Sequence, residues 1–193
     1  GDIVDYTKGF AFKSKDYTKN GRRIIRVSDT TYNAMKDENE IFIEESQGSN
    51  YKKWELREGD LVFSTVGSKP PTYDSLVGRV LRIKKKYEGS LLNQNAVLVR
   101  SKNKTKYNQH LLLYHFKTNR YIKFIEKIFR GNANQASITL HDLFKFPIPL
   151  PRDKDEQEKI AQVLSDIDEV IEHIDELIKK KKNIKQGAMQ KFL

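Results

Sequence analysis

From residue 154 onward, apolar residues return at intervals of four and three: Ile160, Leu164, Ile167, Ile171, Ile174 and Ile178, with Lys181, Lys185, Ala188 and Phe192 continuing the spacing. That spacing keeps one stripe on a single side of an α-helix, as in the a/d seam of a coiled coil. A second row, Val163, Val170, Leu177 and Ile184, recurs every seven residues beside it and widens the stripe beyond what one slim partner covers. Pro149 and Pro151 exclude a helix before residue 152. Asp153 is then the predicted N-cap, with Glu156 as its capping-box partner. No proline follows and Gly187 is the one glycine, so the helix should run to Leu193, roughly 55 to 60 Å at about 1.5 Å per residue.

Upstream, the period changes. Residues 1 to 12 alternate apolar and polar up to a turn at Gly9, which predicts a strand leading into a loop. IIRVSD (24 to 29), LVFSTV (61 to 66, after a Gly59-Asp60 turn), VGRVLRI (77 to 83) and NQNAVLVR (93 to 100) read as further strands, and the segment from 30 to 40 as irregular. YNQHLLLYHFKTNRYIKFIEKIF (107 to 129) has the apolar density of one helix or two abutting ones. The expected fold class is α+β: a mixed globular domain with a β-sheet core, residues 1 to 151, followed by a long C-terminal helix, residues 152 to 193, forming an antiparallel coiled coil.

Charge sharpens this division. The net charge is +10, yet residues 152 to 193 hold nine Lys/Arg against ten Asp/Glu, so the whole positive excess lies in residues 1 to 151. A basic domain joined to a charge-balanced helix reads as a polyanion binder attached to an assembly device. Within the helix, acidic residues crowd the first half (Asp166 to Glu176) and lysines the second (Lys179 to Lys191). An antiparallel second copy would set acidic beside basic, whereas a parallel one would set like beside like. Ile160, Leu164, Ile167, Ile171, Ile174 and Ile178 are therefore the expected dimerisation residues. A helix folded back along its own domain is the alternative.

Candidate polyanion contacts fall in the loops. KSKDYTKNGRR offers Lys13, Lys15, Arg22 and Arg23; SKPPTYDS offers Lys69 and Tyr73; SKNKTKY offers Lys102 and Lys104; RGNANQ offers Arg130, Asn132, Asn134 and Gln135. Lysine and arginine attract phosphate whatever the sequence. Arginine pairs with guanine, and asparagine or glutamine with adenine, through two hydrogen bonds in the major groove.

Several activities are excluded. No Asp-x-Lys or Glu-x-Lys nuclease motif, P-loop or Asn/Asp-Pro-Pro-aromatic methyltransferase motif occurs. His110, His115, His141 and His173 lack metal-ligand spacing, and the absence of cysteine removes disulfides and thiolate sites. No cofactor and no catalysis are expected. Without a membrane-length apolar run or a signal-peptide pattern, a cytoplasmic setting is expected.

The helix and its lead-in carry a resemblance. IPLP (148 to 151), Glu156-Gln157, Lys159-Ile160-Ala161, VLSDID (163 to 168) and the ending KQGAMQKFL occur in the order found in the conserved helical region of type I restriction-modification specificity subunits. GDIVDYTKGFAFKSKDY and GDLVFSTVGS are similar to recurrent blocks of the family's target recognition domains. The RDKD linker before Glu156 is slightly longer than usual. The resemblance implies one recognition domain and one conserved helix, reading half of a bipartite duplex site. It also implies modification (methyltransferase) and restriction subunits as partners, beside double-stranded DNA and a second copy of the chain. Two alternatives stay open: the detached recognition domain of a fused methyltransferase-nuclease, and a non-catalytic self-associating regulator whose basic face is incidental.

Overall fold

A computed structural model describes residues 2–31, 33–69, 72, 75–132 and 135–192, the side chain of Asn132 excepted. It divides into two compact units, Gly1–Leu150 and Pro151–Leu193, one residue before the expected boundary.

The first unit is built on a four-stranded antiparallel sheet. Its strands are β1 (Val4–Lys8), β4 (Leu61–Ser64), β6 (Val80–Arg82) and β8 (Ala96–Ser101), in the order β1-β8-β4-β6. Leu61 lies opposite Val99 and Phe63 opposite Val97, so these side chains share a face, while Val62 and Leu98 share the other. The first face is covered by two helices, α2 (Gln109–His115) and α3 (Asn119–Ile128): Leu112, Leu113, Tyr121, Ile122 and Ile125 join Leu61, Phe63, Val97 and Val99 in one apolar cluster. The second face packs Val62, Ala96 and Leu98 on Ile25, Leu56, Ile83, Tyr87 and Leu92. Burial on both sides explains why LVFS and AVLV read as unbroken apolar runs rather than alternating ones.

Two smaller sheets complete the unit. β2 (Arg22–Ile25) pairs antiparallel with β3 (Ile41–Ile43) and parallel with β7 (Leu91–Leu92). β5 (Val66–Gly67), β10 (Gln135–Ser137) and β9 (Arg130–Asn132) form the third, in the order β5-β10-β9. A short helix, α1 (Glu45–Gly48), and another, α4 (Leu140–Leu143), occupy connections. The segment from 107 to 129 forms two helices rather than one, because Thr118 caps a new start by accepting from the Tyr121 amide. The strand expected over 24 to 29 ends at Ile25. The Arg26 backbone amide and guanidinium both bond Asp29, which closes a tight 3₁₀ turn at Val27–Asp29.

Arg100, Arg22 and Arg23 form ion pairs inside this unit. Arg100 grips the buried Asp60 with two hydrogen bonds, at 2.7 and 2.6 Å, and Asp60 also accepts from the Arg57 amide at 2.7 Å. Arg22 reaches Glu45 and, at 2.9 Å, Glu55. Arg23 reaches Asp37 at 2.8 Å and Glu40 at 2.7 Å and lies over the Tyr87 ring. Hydrogen bonds from Arg23 first and Lys86 next hold the Asp37 carboxyl well below the usual carboxylate range.

The second unit is α5 (Lys154–Phe192), 39 residues and about 58 Å at the usual rise. Asp153 Oδ1 accepts from the Asp155 amide at 3.0 Å, as a cap should. Glu156 makes no return bond. Gln157 instead donates through Nε2 to the Pro151 carbonyl at 2.8 Å, tying the lead-in to the second turn. Much of both apolar rows is exposed: Val163, Ile167, Val170, Ile171, Ile174 and Leu177 are all 51 to 59% exposed, whereas Leu164 is half-buried. No helix among the described residues is long and apolar enough to cross a membrane.

Two stability measurements check these pairings. Arg100→Met strands a buried carboxylate and should cost about 3 kcal/mol or more in urea unfolding. Arg100→Met with Asp60→Asn should recover part of that loss; two losses that simply add would mean that the pair is not coupled. Because its carboxyl is depressed in the folded state, Asp37 stabilises the fold above the ordinary carboxylate pKa, and this contribution is lost as pH falls through the lower folded value. Asp37→Asn should therefore flatten the acid limb of stability against pH, measured by urea midpoints.

Candidate nucleic-acid interface

The antiparallel register of the main sheet gives the first unit two distinguishable ends. Along β8, Ala96 and Ser101 are about 17 Å apart at roughly 3.3 Å per residue. Lys102 and Lys104 follow Ser101 in an exposed loop at one end. Lys8, paired with Val97, and Thr65, which follows the Ser64 paired with Ala96, mark the other.

The third sheet adjoins this other end. Thr65 donates its amide to Asn95 O at 2.9 Å, and Ile138 donates its own to Thr65 O at 3.1 Å, so the 93 to 96 turn, Thr65 and the continuation of β10 lie side by side. On that sheet Ala136 pairs with Gly67 and Gly131, which sets the Arg130 to Gln135 hairpin next to β5 and the Lys69 loop that leaves it. Lys69, two residues past β5, and Arg130 and Gln135, on β9 and β10, thus come from 61 or more positions apart in sequence onto or beside one small sheet, and all three are exposed.

Arg130 is held in place. Its Nη2 lies 3.2 Å from Asp142 Oδ2, and Asp142 also accepts from Thr139 Oγ1 at 2.8 Å and Lys145 Nζ at 3.2 Å. Hydrogen bonds from Thr139 and then Lys145 lower the Asp142 pKa, so the carboxylate that anchors Arg130 stays ionised.

Between the β1 end, the 93 to 96 turn and the start of α4 lies an open groove of about 650 Å³, lined among others by Lys8, Thr65, Gln94, Asn95, Thr139 and His141. None of these six stood among the expected contacts. The Asn-Gln-Asn triplet was legible as polar, but its proximity to a strand made it read as strand. Tyr6 lies on the border with a second, more apolar groove of about 770 Å³; it is 51% exposed and its ring is 5.0 Å from that of Phe144.

The remaining expected contacts separate. Lys13 and Lys15 are exposed, flanking and within the 3₁₀ turn Ser14–Asp16. Arg22 and Arg23, by contrast, are partly buried and form the ion pairs described above, with carboxylates 14 to 33 residues away in sequence. Lys102 and Lys104 lie at the far end of the sheet. Tyr73 and Asn134 fall outside the described residues, as does the side chain of Asn132.

Residues 1–186 match the model of the type I restriction modification DNA specificity domain. A protein of Methanocaldococcus jannaschii that carries the name type I restriction enzyme MjaX specificity subunit is 30% identical over 194 residues, covering 99% of this chain and 43% of the relative. The crystal structure of the type I restriction-modification S subunit of M. genitalium superposes with a TM-score of 0.63 at 20% identity, over 92% of this chain and 40% of the other. The HsdS subunit of Thermoanaerobacter tengcongensis gives 0.55 at 18%, over 89% and 37%. The chain thus spans less than half the length of the relatives it matches, and from Asp2 to the last turns of α5 it belongs to the type I restriction modification DNA specificity domain family.

Proposed function

We propose that this chain is the sequence-recognition component of a type I restriction-modification system, reading half of a bipartite duplex site and pairing with a second copy through α5. The observation that carries the reading is the confinement of all excess positive charge to residues 1 to 151, where Lys8 lines a polar groove and Lys69, Arg130 and Gln135 are exposed on or beside the third sheet. Basic side chains draw the domain onto phosphate and fix its register; amides and the Arg130 fork are left to meet base edges. The Arg130 to Gln135 hairpin is a two-stranded ribbon, a shape the major groove admits. Lys102 and Lys104, at the far end, contribute attraction at a distance rather than contact.

The helix supplies spacing. About 58 Å of α5 exceeds the 34 to 36 Å that separates half-sites about one turn apart, so an antiparallel pair is long enough to hold two recognition units on one duplex. The first apolar row faces the second copy, and the second row, Val163, Val170, Leu177 and Ile184, is left for modification subunits. In this arrangement the chain gives the address, in the cytoplasm, and the modification and restriction subunits perform the chemistry.

Two results are expected. Lys69→Ala and Arg130→Ala should each reduce the slope of log affinity against log salt by about 1 on any duplex, measured by fluorescence anisotropy; an unchanged slope in both removes the third sheet from the interface. Ile167→Asp with Ile174→Asp should convert a dimer to a monomer in multi-angle light scattering while leaving the urea midpoint of the first unit unchanged. A wild-type chain that is monomeric at high concentration would contradict the pairing.

A further inference from the structure

Several side-chain amides of the first unit are engaged in holding its turns and caps. Asn93 Oδ1 accepts from the Gln94 amide at 2.8 Å; Asn103 accepts from the Thr105 and Lys106 amides; Asn108 caps α2; Gln109 bridges the Ser101 amide and the Gly59 carbonyl. Gln94 and Asn95, adjacent and exposed in the groove, make no side-chain hydrogen bond to any described residue.

Their backbone is nevertheless fixed. Asn95 holds a left-handed conformation, φ 64, and its carbonyl accepts from both the amide and the hydroxyl of Thr65 at 2.9 Å. The Gln94 amide bonds Phe10 O at 2.9 Å. Gly9 allows the β1 end to close on this turn: a Cβ there would sit 1.8 Å from Asn93 O. A rigid turn that presents two idle amides loses little freedom on binding.

On the DNA-reading function proposed above, we infer that the Gln94–Asn95 turn is a specificity-determining element that reads adenine in the major groove. A carboxamide presents one donor beside one acceptor. Adenine answers with N7 as acceptor and the N6 amino group as donor, whereas guanine offers two acceptors and cytosine only a donor. Lys8, on the same groove wall, is placed to take a neighbouring phosphate. Ile138 lies beside Thr65, and Gln135 lies three residues back along β10, about 10 Å away at strand rise.

The test is selection from random duplexes with the full chain, wild type and variants in parallel. Asn95→Gly keeps the left-handed backbone and deletes only the carboxamide; Gln94→Ala deletes its neighbour. Each should lose an adenine preference at one position, with affinity for the selected duplex falling on the order of 10-fold and affinity for unrelated duplexes unchanged. Asn95→Asp, which can only accept, should move its position toward cytosine. Replacing the selected adenine by 7-deazaadenine, which lacks the N7 acceptor, should weaken the wild type but not the variant that has lost that contact. Variants that select the wild-type motif at every position, or that pay the same 7-deazaadenine penalty, overturn the assignment alone. A wild-type chain that selects no motif overturns the DNA-reading function with it.

Discussion

Water will not tolerate α5 as it stands. Two rows of Ile, Val and Leu side chains, most of them about half exposed, run from Ile160 to Ile184, about 36 Å of helix, and each is worth about 1.5 to 3 kcal/mol when fully covered. A monomer rarely presents so long an apolar stripe without a use for it. Covering the first row would yield on the order of 10 kcal/mol gross, and an association cost of roughly 4 to 15 kcal/mol consumes much of it. In the proposed pair, an acidic first half and a lysine-rich second half would attract when the helices run opposite ways. On the pairing proposed above, an antiparallel pair would place two recognition units on one rod.

The first unit answers a different constraint, rigidity. Its central sheet is buried on both faces, and its connections are pinned by charge: Arg100 on Asp60, Arg26 on Asp29, Arg23 on Asp37 and Glu40. A surface that reads base edges must hold its amides still, and the 93 to 96 turn is held by Thr65, Phe10 and the close approach at Gly9. Basic residues consequently play two roles in this small domain. Arg22, Arg23, Arg26 and Arg100 neutralise carboxylates and stiffen the scaffold; Lys8, Lys69 and Arg130 stay exposed, Arg130 while also meeting Asp142.

Elements whose pattern is local were legible in the sequence. α5 could be read from its spacing and its proline lead-in to within a residue at either end, and the cores of β1, β4, β6 and β8 from apolar runs bounded by turn residues. β5 and β7, two residues each, carry no period of their own and exist because a partner strand completes them. The ion pairs of Arg22 and Arg23 were invisible for the same reason: Glu45, Glu55, Asp37 and Glu40 approach only when β2 and β3 are paired. The candidate interface was half legible. Lys69, Arg130 and Gln135 stood out by residue type in loops, but Gln94 and Asn95 gain their significance from the groove, which sequence spacing does not describe.

The account rests on two recognition units held at a fixed separation by paired helices. Binding to duplexes that carry two inverted copies of the selected half-site, with the spacer lengthened one base pair at a time, tests that separation directly. A rod predicts a sharp affinity maximum at one spacing, falling on both sides as the second site rotates and recedes from the second unit. Affinity independent of spacing, equal to that of a single half-site throughout, would contradict it.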